Sequence, residues 1–475
     1  MTSHTSQAPL GDVLVLGLGR TGTSVARYLA TLPEGRVRSV TLYGGTSSEP
    51  GEASRALEGL GVTVALGTDE VRGRFDLAVA SPGIPERSAF FRAAASASTE
   101  VIGEPEFAYR ESPARWVAIT GTNGKTTTTS LTTHVLSSAG LSAESVGNIG
   151  TNVCDRVRER PQDGWFVAEL SSFQLATTRL LHPRVAVLLN LTPDHLEWHG
   201  TFEAYAAAKE RIFANLDARD LAVVSVDDEP CRAVRDRLAQ RGLRVCELSV
   251  CGAPESACAA FLREGTLVVR LDGVEHALVA VDELQIRGLH NAENALAAAA
   301  AALELGVSEE VAAAAVRTFS PIEHRIEPVA TVRGVSFVND SKATNTDSVE
   351  KALTAFAAGT VVVLLGGHDK GTDLASLARA VCARCRVAVC FGAAGERIAA
   401  ALEDARDTRG EKGPALAVLR AAHLREAFTA AVAAARPHDT VLLSPACSSF
   451  DEFSNMAERG RAFKGLVRDL AREGE

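Results

Sequence analysis

Short apolar runs recur along the whole chain, each followed by a polar, glycine-rich turn and a helix-forming stretch. In the first hundred residues they are Val13-Leu14-Val15-Leu16, Val40-Thr41-Leu42, Val62-Thr63-Val64 and Leu77-Ala78-Val79-Ala80. Runs apolar at every position, rather than at alternate ones, mark strands covered on both faces, as in an open parallel sheet. The middle of the chain repeats the pattern at Trp116 to Ile119, Phe166-Val167-Ala168, Val185 to Leu189 and Leu221 to Val226. It closes with two alanine-rich helices, Asn291 to about Leu305 and Ser308 to Phe319. The last third carries strands at Val335 to Val338, Val361 to Leu365, Val387 to Phe391 and Val441 to Leu443. The pattern predicts an α/β protein of three layered units. A turn-rich patch at Gly103 to Pro113 separates the first two, and Ser320-Pro321 reads as the second linker. Met1 to Gly11 reads as a short disordered tail without an apolar signal core.

The polar segments that follow these strands carry the chemistry. Gly121-Thr122-Asn123-Gly124-Lys125-Thr126 lies between a strand and a Thr- and Ser-rich helix. Glycines there turn backbone N–H groups toward phosphate oxygens, and the helix N-terminus adds partial positive charge. Lys125 can reach outer phosphates and the Thr126 hydroxyl can ligate magnesium. The full phosphate-loop pattern needs a glycine where Ile119 stands, so this is a shortened loop. Gly17-Leu18-Gly19-Arg20-Thr21-Gly22 matches a dinucleotide fingerprint, but Tyr43 ends the second strand where an acidic residue would hold a ribose. A nucleotide diphosphate at that helix start and a purely structural tight turn both fit. Glu169 ends a strand where it could hold magnesium beside Thr126, or simply begin a helix. His195, in Asn190 to Leu196, suits a metal, a substrate or a structural contact. Asn291 and Asn294 stand one helical turn apart and could address an adenine, although asparagine at a helix start is also an ordinary cap. Arg325 follows the second linker, where an arginine can reach a phosphate or rest on the hinge surface. Asn339 to Asn345, Gly366 to Lys370 and Ser444 to Asp451 are three further polar segments at strand ends. From spacing alone, Lys209 in its amphipathic helix reads as a solvated lysine.

Composition narrows the classes. At 475 residues the chain exceeds one core. A net charge of −10 with no long basic run argues against nucleic acid as the main partner. No apolar stretch has the length of a membrane span. Nine cysteines without a framework suit a reducing cytoplasm, and Cys382-x-x-Cys385 lacks a second pair for a closed zinc site. Only seven of the 49 basic residues are lysines, and four of them, at 125, 209, 342 and 370, fall in candidate site segments. Surface scatter would not readily give that.

Taken in order along the chain, these segments resemble the Mur ligases, the ATP-dependent amide-forming enzymes of peptidoglycan synthesis. The shortened phosphate loop is shared with folylpolyglutamate synthases. The narrower similarity lies in Asn339 to Asn345, Gly366-Gly367 with Lys370, and Ser444-Pro445-Ala446-Cys447 running on to Phe453 and Arg459-Gly460; it points to members that add D-glutamate to UDP-N-acetylmuramoyl-L-alanine. The resemblance implies three domains: residues 1–103, Rossmann-like and binding the UDP end; 104–321, a phosphate-loop domain binding ATP; and 322–475, Rossmann-like and binding the amino acid. It implies that Gly121, Thr122, Asn123, Gly124, Lys125, Thr126 and Thr127 cradle ATP, with Asn291, Asn294, Arg325 and Asp340 completing that site. Thr126, Glu169, His195 and a carbamylated Lys209 would organise magnesium, at two sites, with Lys125, His195 and Lys209 as the catalytic set. Arg20, Thr21, Ser81, Gly83, Asn148 and Gln174 would line the UDP-sugar site, while Tyr43 displaces the acidic residue of better-known members. Lys342, Thr344, Lys370 and Ser449 would meet D-glutamate. It further implies a cytoplasmic monomer that closes over its substrates.

The chemistry explains the gathering of cations. A carboxylate oxygen is a poor leaving group, so ATP first converts the alanyl carboxylate to an acyl phosphate, which the D-glutamate amine attacks. Two other classes fit parts of the sequence. A folylpolyglutamate-type ligase would share the ATP half without the Ser444 to Asp451 segment, and an NAD(P)-dependent oxidoreductase would rest on Gly17 to Gly22 alone.

Overall fold

The computed structural model describes residues 8–368, 371–409 and 416–472. The described residues divide into two compact units. One comprises residues up to Glu283 with Glu293–Arg317; the other comprises Leu284–Ala292 with Thr318 onward.

The first unit holds two sheets. Strands β1 (Gly11–Leu16), β2 (Val37–Tyr43), β3 (Thr63–Ala65), β4 (Leu77–Ala80) and β5 (Val101–Gly103) form an all-parallel sheet ordered β3-β2-β1-β4-β5. Gly11 already pairs with Val37, so the predicted tail gives way to strand before Gly11 ends. The second sheet contains β6 (Trp116–Thr120), β7 (Ala143–Gly147), β8 (Trp165–Glu169), β9 (Val185–Leu188), β10 (Leu221–Ser225), β11 (Arg244–Ser249), β12 (Ala259–Arg263), β13 (Thr266–Leu271) and β14 (Val274–Ala280). Their order is β14-β13-β12-β11-β10-β9-β6-β8-β7. The core strands are parallel, and β12 to β14 are antiparallel. Glu264-Gly265 and Asp272-Gly273 connect these last three strands, all four residues having positive φ as a primed hairpin turn requires.

The patch expected to be a turn-rich separator is instead β5 and a helix, Glu104–Glu111. Pro105 sits in its first turn, where a missing N–H costs nothing. Phe107 buries its ring edge-on against Tyr28. Three buried glutamates on this helix are satisfied elsewhere: Glu104 accepts from Cys154 N (2.7 Å), Glu106 from the backbone of Arg179, Leu180 and Leu181, and Glu111 from Tyr28 and Arg36. One apolar cluster consequently runs unbroken from Val13 and Leu42 through Phe107 and Trp116 to Val224 and Leu238.

The second unit contains β15 (Glu327–Val332), β16 (Val335–Asn339), β17 (Val361–Gly366), β18 (Cys385–Phe391), β19 (Ala417–Arg420) and β20 (Thr440–Ala446), ordered β15-β16-β20-β17-β18-β19. Only the edge strand β15 runs antiparallel among these pairs. Apolar layers cover both faces of the sheet. Among the described residues no two cysteines form a disulfide; Cys382 and Cys385 are buried, and Cys382 donates weakly to the Leu402 carbonyl. No helix among the described residues is long and apolar enough to cross a membrane.

Candidate active site

In open α/β sheets ligands bind beyond the carboxyl ends of the strands, most readily where strand order reverses. In the second sheet of the first unit, the loops after three adjacent strands, β9, β6 and β8, carry the predicted site residues. The shortened loop after β6 turns sharply at Gly121 and Gly124, with φ +154° and +84°. A Cβ on Gly124 would strike Asn294 Oδ1, which also accepts from Thr128 Oγ1 at 3.1 Å. Asn294 therefore presses on the loop from its own helix, Leu289–Glu304. Asn190, at the end of β9, holds the loop from the other side, accepting from Asn123 N (2.8 Å) and donating to Asn123 O (3.2 Å). Lys125 folds back to the carbonyls of Gly121 and Thr122, at 3.0 and 2.8 Å. Thr126 and Thr127 are buried at the start of helix Lys125–Ser138, and the Thr127 hydroxyl has no hydrogen-bond partner.

Lys209 is not solvated. It is 2 % exposed, lies 4.8 Å from the Tyr205 ring centroid, and donates to Gly121 O at 2.7 Å and Thr120 Oγ1 at 3.4 Å. Burial, reinforced by the Lys125 charge, holds its ammonium well below the usual lysine range. Tyr205, from the same helix Phe202–Glu210, hydrogen-bonds Thr122 Oγ1 at 2.8 Å, so this helix braces both the lysine and the phosphate loop. Amphipathic spacing misplaced Lys209 because its end of the helix, with Tyr205 and Ala208, is buried, the lysine against the end of β6 at Thr120 and Gly121, while Glu203, Ala204 and Ala207 remain exposed.

Glu169 ends β8 fully buried. Its Oε1 accepts from Asn148 Nδ2 at 2.7 Å, while Oε2 is buried with no hydrogen-bond partner among the described residues. An orphaned carboxylate oxygen beside a phosphate loop suits a hard divalent cation. His195, in the left-handed region at φ +53°, is part-exposed against Phe173 with ring centroids 4.7 Å apart. Gln174 caps the short helix Ser172–Ala176 through Ser171.

In the first sheet, strand order reverses between β1 and β4, and four of the predicted UDP-site residues, Arg20, Thr21, Ser81 and Gly83, follow those two strands, whereas Asn148 and Gln174 follow β7 and β8 of the second sheet. Gly22 packs so tightly that a Cβ would meet the Gly17 carbonyl, the close helix–strand approach the fingerprint requires. Arg20 reaches the Gly150 carbonyl and Thr21 Oγ1 lies 3.4 Å from Asn152 Oδ1. Ser81 Oγ is buried and unpartnered, and Gly83 is open. Tyr43 is buried in this sheet's core, its hydroxyl accepting from Arg72 N at 3.0 Å; it is a packing residue.

In the second unit, the loops after β16, β20 and β17 again come from adjacent strands. Asp340 is buried, accepting from Ser444 Oγ (2.7 Å) and Ile326 N (3.2 Å); desolvation pushes its carboxyl up to about 6. Lys342 and Thr344 occupy the turn that follows, with Lys342 N donating to His324 O. Asn345 caps helix Thr346–Leu353. Arg459, 1 % exposed, ties this turn to the loop after β20. It donates to Ser341 Oγ and O and to the carbonyls of Cys447 and Ser448. Ser449 is buried beside that carbonyl pair. Asn291 donates to Arg287 O, and Arg325 is part-buried, its backbone N–H bonded to Ile322 O. Asp369 and Lys370 lie outside the described residues. Asn190, Tyr205 and Arg459 are positioning residues; an asparagine closing β9 beside a phosphate loop was the available signal for the first.

The family model for the Mur ligase MurD-like N-terminal domain matches residues 11–103, that for the Mur ligase middle domain 119–302, and that for the Mur ligase glutamate ligase domain 324–447. A UDP-N-acetylmuramoylalanine--D-glutamate ligase of Acidobacterium capsulatum is 40% identical over 467 residues, covering 97% of this chain and 96% of that protein. This chain belongs to the Mur ligase family. A Mur ligase of the same description from Geobacter metallireducens is 41% identical over 461 residues, covering 97% of both chains. The fold matches a pseudomurein peptide ligase type C from Methanothermus fervidus (TM-score 0.59, 17% identity, 97% of this chain and 99% of that one). It likewise matches a Thermotoga maritima MurF ligase in complex with ADP (TM-score 0.58, 15% identity, 85% and 96%).

Proposed function

We infer that this Mur ligase joins D-glutamate to UDP-N-acetylmuramoyl-L-alanine, converting ATP to ADP and phosphate in peptidoglycan precursor synthesis. The observation that carries this is 40% identity sustained over 97% of the chain with a D-glutamate ligase. Its physical support is a phosphate loop, an orphaned buried carboxylate and a buried lysine held together at one sheet edge.

Three domains, 1–103, 104–321 and 322–475, divide the labour. The loops after β1 and β4, with Arg20, Thr21, Ser81 and Gly83, take the UDP end, and Asn148 and Gln174 contribute from the middle domain. Gly121 to Thr127 cradle the ATP phosphates, with Asn294 and Asn291, and Arg325 and Asp340 bind the same nucleotide. Lys342, Thr344, Lys370 and Ser449 recognise the D-glutamate carboxylates.

In the first step an alanyl carboxylate oxygen attacks the γ-phosphorus and ADP leaves. Lys125 releases its loop carbonyls to meet the oxyanions, offsetting charge that grows as the phosphoryl group transfers. The D-glutamate amine then attacks the acyl carbon, and the tetrahedral oxyanion expels phosphate to leave the amide. Glu169, Thr126 and His195 would hold magnesium, which when bound neutralises phosphate charge. Burial disfavours the ammonium form of Lys209, and the neutral amine is the form that adds carbon dioxide, giving a carbamate and a proton; Lys209 so modified would replace a buried amine by a carboxylate facing the magnesium ligands. The protein acts as a cytoplasmic monomer.

The test is phosphate release from ATP with D-glutamate, L-glutamate, L-alanine or a diamino acid, each with and without UDP-N-acetylmuramoyl-L-alanine. Release that needs both D-glutamate and the nucleotide sugar is expected. Release with another amino acid and none with D-glutamate would overturn the assignment.

A further inference from the structure

The first unit has a second cleft, of about 850 Å³, at the sheet edge opposite the phosphate loop. Its walls come from the segments that lead into β2, β6 and β8, namely Thr31 to Arg36, Glu111 to Ala114 and Val157 to Gln162, together with Tyr28. Strand β6 spans roughly 16 Å at about 3.3 Å per residue, so this cleft and the Gly121 to Thr126 loop lie at opposite ends of the same strand. A volume of this size accommodates a small organic ligand.

Three guanidinium groups line the cleft, and their partners do not balance them. Arg36 is buried and pairs with Glu111 Oε1 at 2.7 Å, and its buried Nε has no hydrogen-bond partner among the described residues. Arg158 stands at the mouth, 5.1 Å from the Tyr28 ring centroid, and among the described residues makes no ion pair. Arg160 stacks on Phe166 at 4.2 Å. It donates to Ser112 Oγ and to the carbonyls of Ser112, Ala114, Arg115 and Gly164, without any carboxylate. Burial lowers its pKa to about 10, which leaves it charged at neutral pH. Of the two lining acids, Glu111 is committed to Arg36 and Tyr28, and Glu34 is exposed. Leu32, Pro33 and Pro161 give the cleft an apolar side.

We propose that this cleft is a second, non-catalytic ligand site for a small organic anion, a phosphate or carboxylate carried on a ring or apolar body. The oxyanion pairs with the exposed guanidinium of Arg158, with the positive charge of Arg160 and Arg36 behind it, and the body rests against Tyr28 and the proline-lined wall. Bidentate guanidinium–oxyanion pairing supplies the specificity, and a partly desolvated cleft strengthens it. Because its walls belong to both sheets of the unit, an occupant links them and stabilises their association. The inference is independent of the ligase assignment.

Phenyl phosphate and benzoate serve as probes, titrated calorimetrically into the full chain saturated with ADP and UDP so that the opposite edge is filled. One saturable site is expected, at least tenfold weaker in Arg158→Ala; the stronger probe tells which oxyanion the cleft prefers. Amide hydrogen exchange on the wild-type chain is the independent readout, with slowed exchange expected in 31–36 and 157–162. Absence of saturable binding, equal affinity in Arg158→Ala, or protection confined to 121–126 would each overturn the site.

Discussion

Lys209 shows how strongly one position depends on its surroundings. A lysine in an alanine-rich helix is ordinarily solvated, but here the amine is buried against Gly121 O and the Tyr205 ring. Periodicity could not reveal this, since the covering surface comes from a strand end nearly ninety residues earlier; only the family resemblance placed Lys209 in the site. Lys209→Ala is expected to lower ligase turnover at least a hundredfold with partial recovery on adding formate or acetate, because a free carboxylate can stand in for the carbamate. Full turnover without added carboxylate would remove the carbamate from the account. Glu104 makes a second residue-level claim. Desolvation raises its carboxyl from 4.5 to about 7, despite the bond from Cys154 N. The folded state thus holds a proton that the unfolded chain has released, and stability fully present below pH 4.5 is lost as pH rises toward 7. In urea unfolding, Glu104→Gln should remove that decline, which amounts to something on the order of 3 kcal/mol. A wild-type chain whose stability rises over the same interval would contradict the buried, protonated carboxyl.

At the scale of elements, helix Glu104–Glu111 is the clearest departure from the sequence pattern. Its composition, Glu-Pro-Glu-Phe-Ala-Tyr-Arg-Glu, looks like a turn because the buried positions are occupied by carboxylates. Those carboxylates are satisfied by Cys154, Arg36 and the backbone at 179–181, distant partners that no local window contains. Phe107 is the apolar centre of that junction, and Phe107→Ala should cost about 3–5 kcal/mol, read as a lower urea midpoint. A loss below 1 kcal/mol would mean that the two sheets of the unit are held without it. The parallel strands, by contrast, were legible, because continuous apolar runs such as Val13 to Leu16 and Val361 to Leu365 have few other uses. The β12 to β14 meander went unread although Glu264-Gly265 and Asp272-Gly273 announced it. Its strands carry Arg263, Arg270 and Glu275, whose cross-strand pairing hides the apolar pattern.

Over the whole molecule, the same arrangement serves three sheets: polar loops leave neighbouring parallel strands at one edge. That rule made most of the candidate site visible from sequence, since each motif directly follows an apolar run. Tyr43 marks where the rule is silent, because a strand's last residue can turn inward to the core as readily as out to a ligand. The assigned chemistry requires that the oxygen lost from the alanyl carboxylate leave with the phosphate. The most direct test uses UDP-N-acetylmuramoyl-L-alanine labelled with oxygen-18 in its free carboxylate, turned over with ATP and D-glutamate, and mass analysis of the released phosphate. An acyl phosphate predicts one labelled oxygen in each phosphate and the other retained in the new amide. Unlabelled phosphate formed alongside the amide would contradict it.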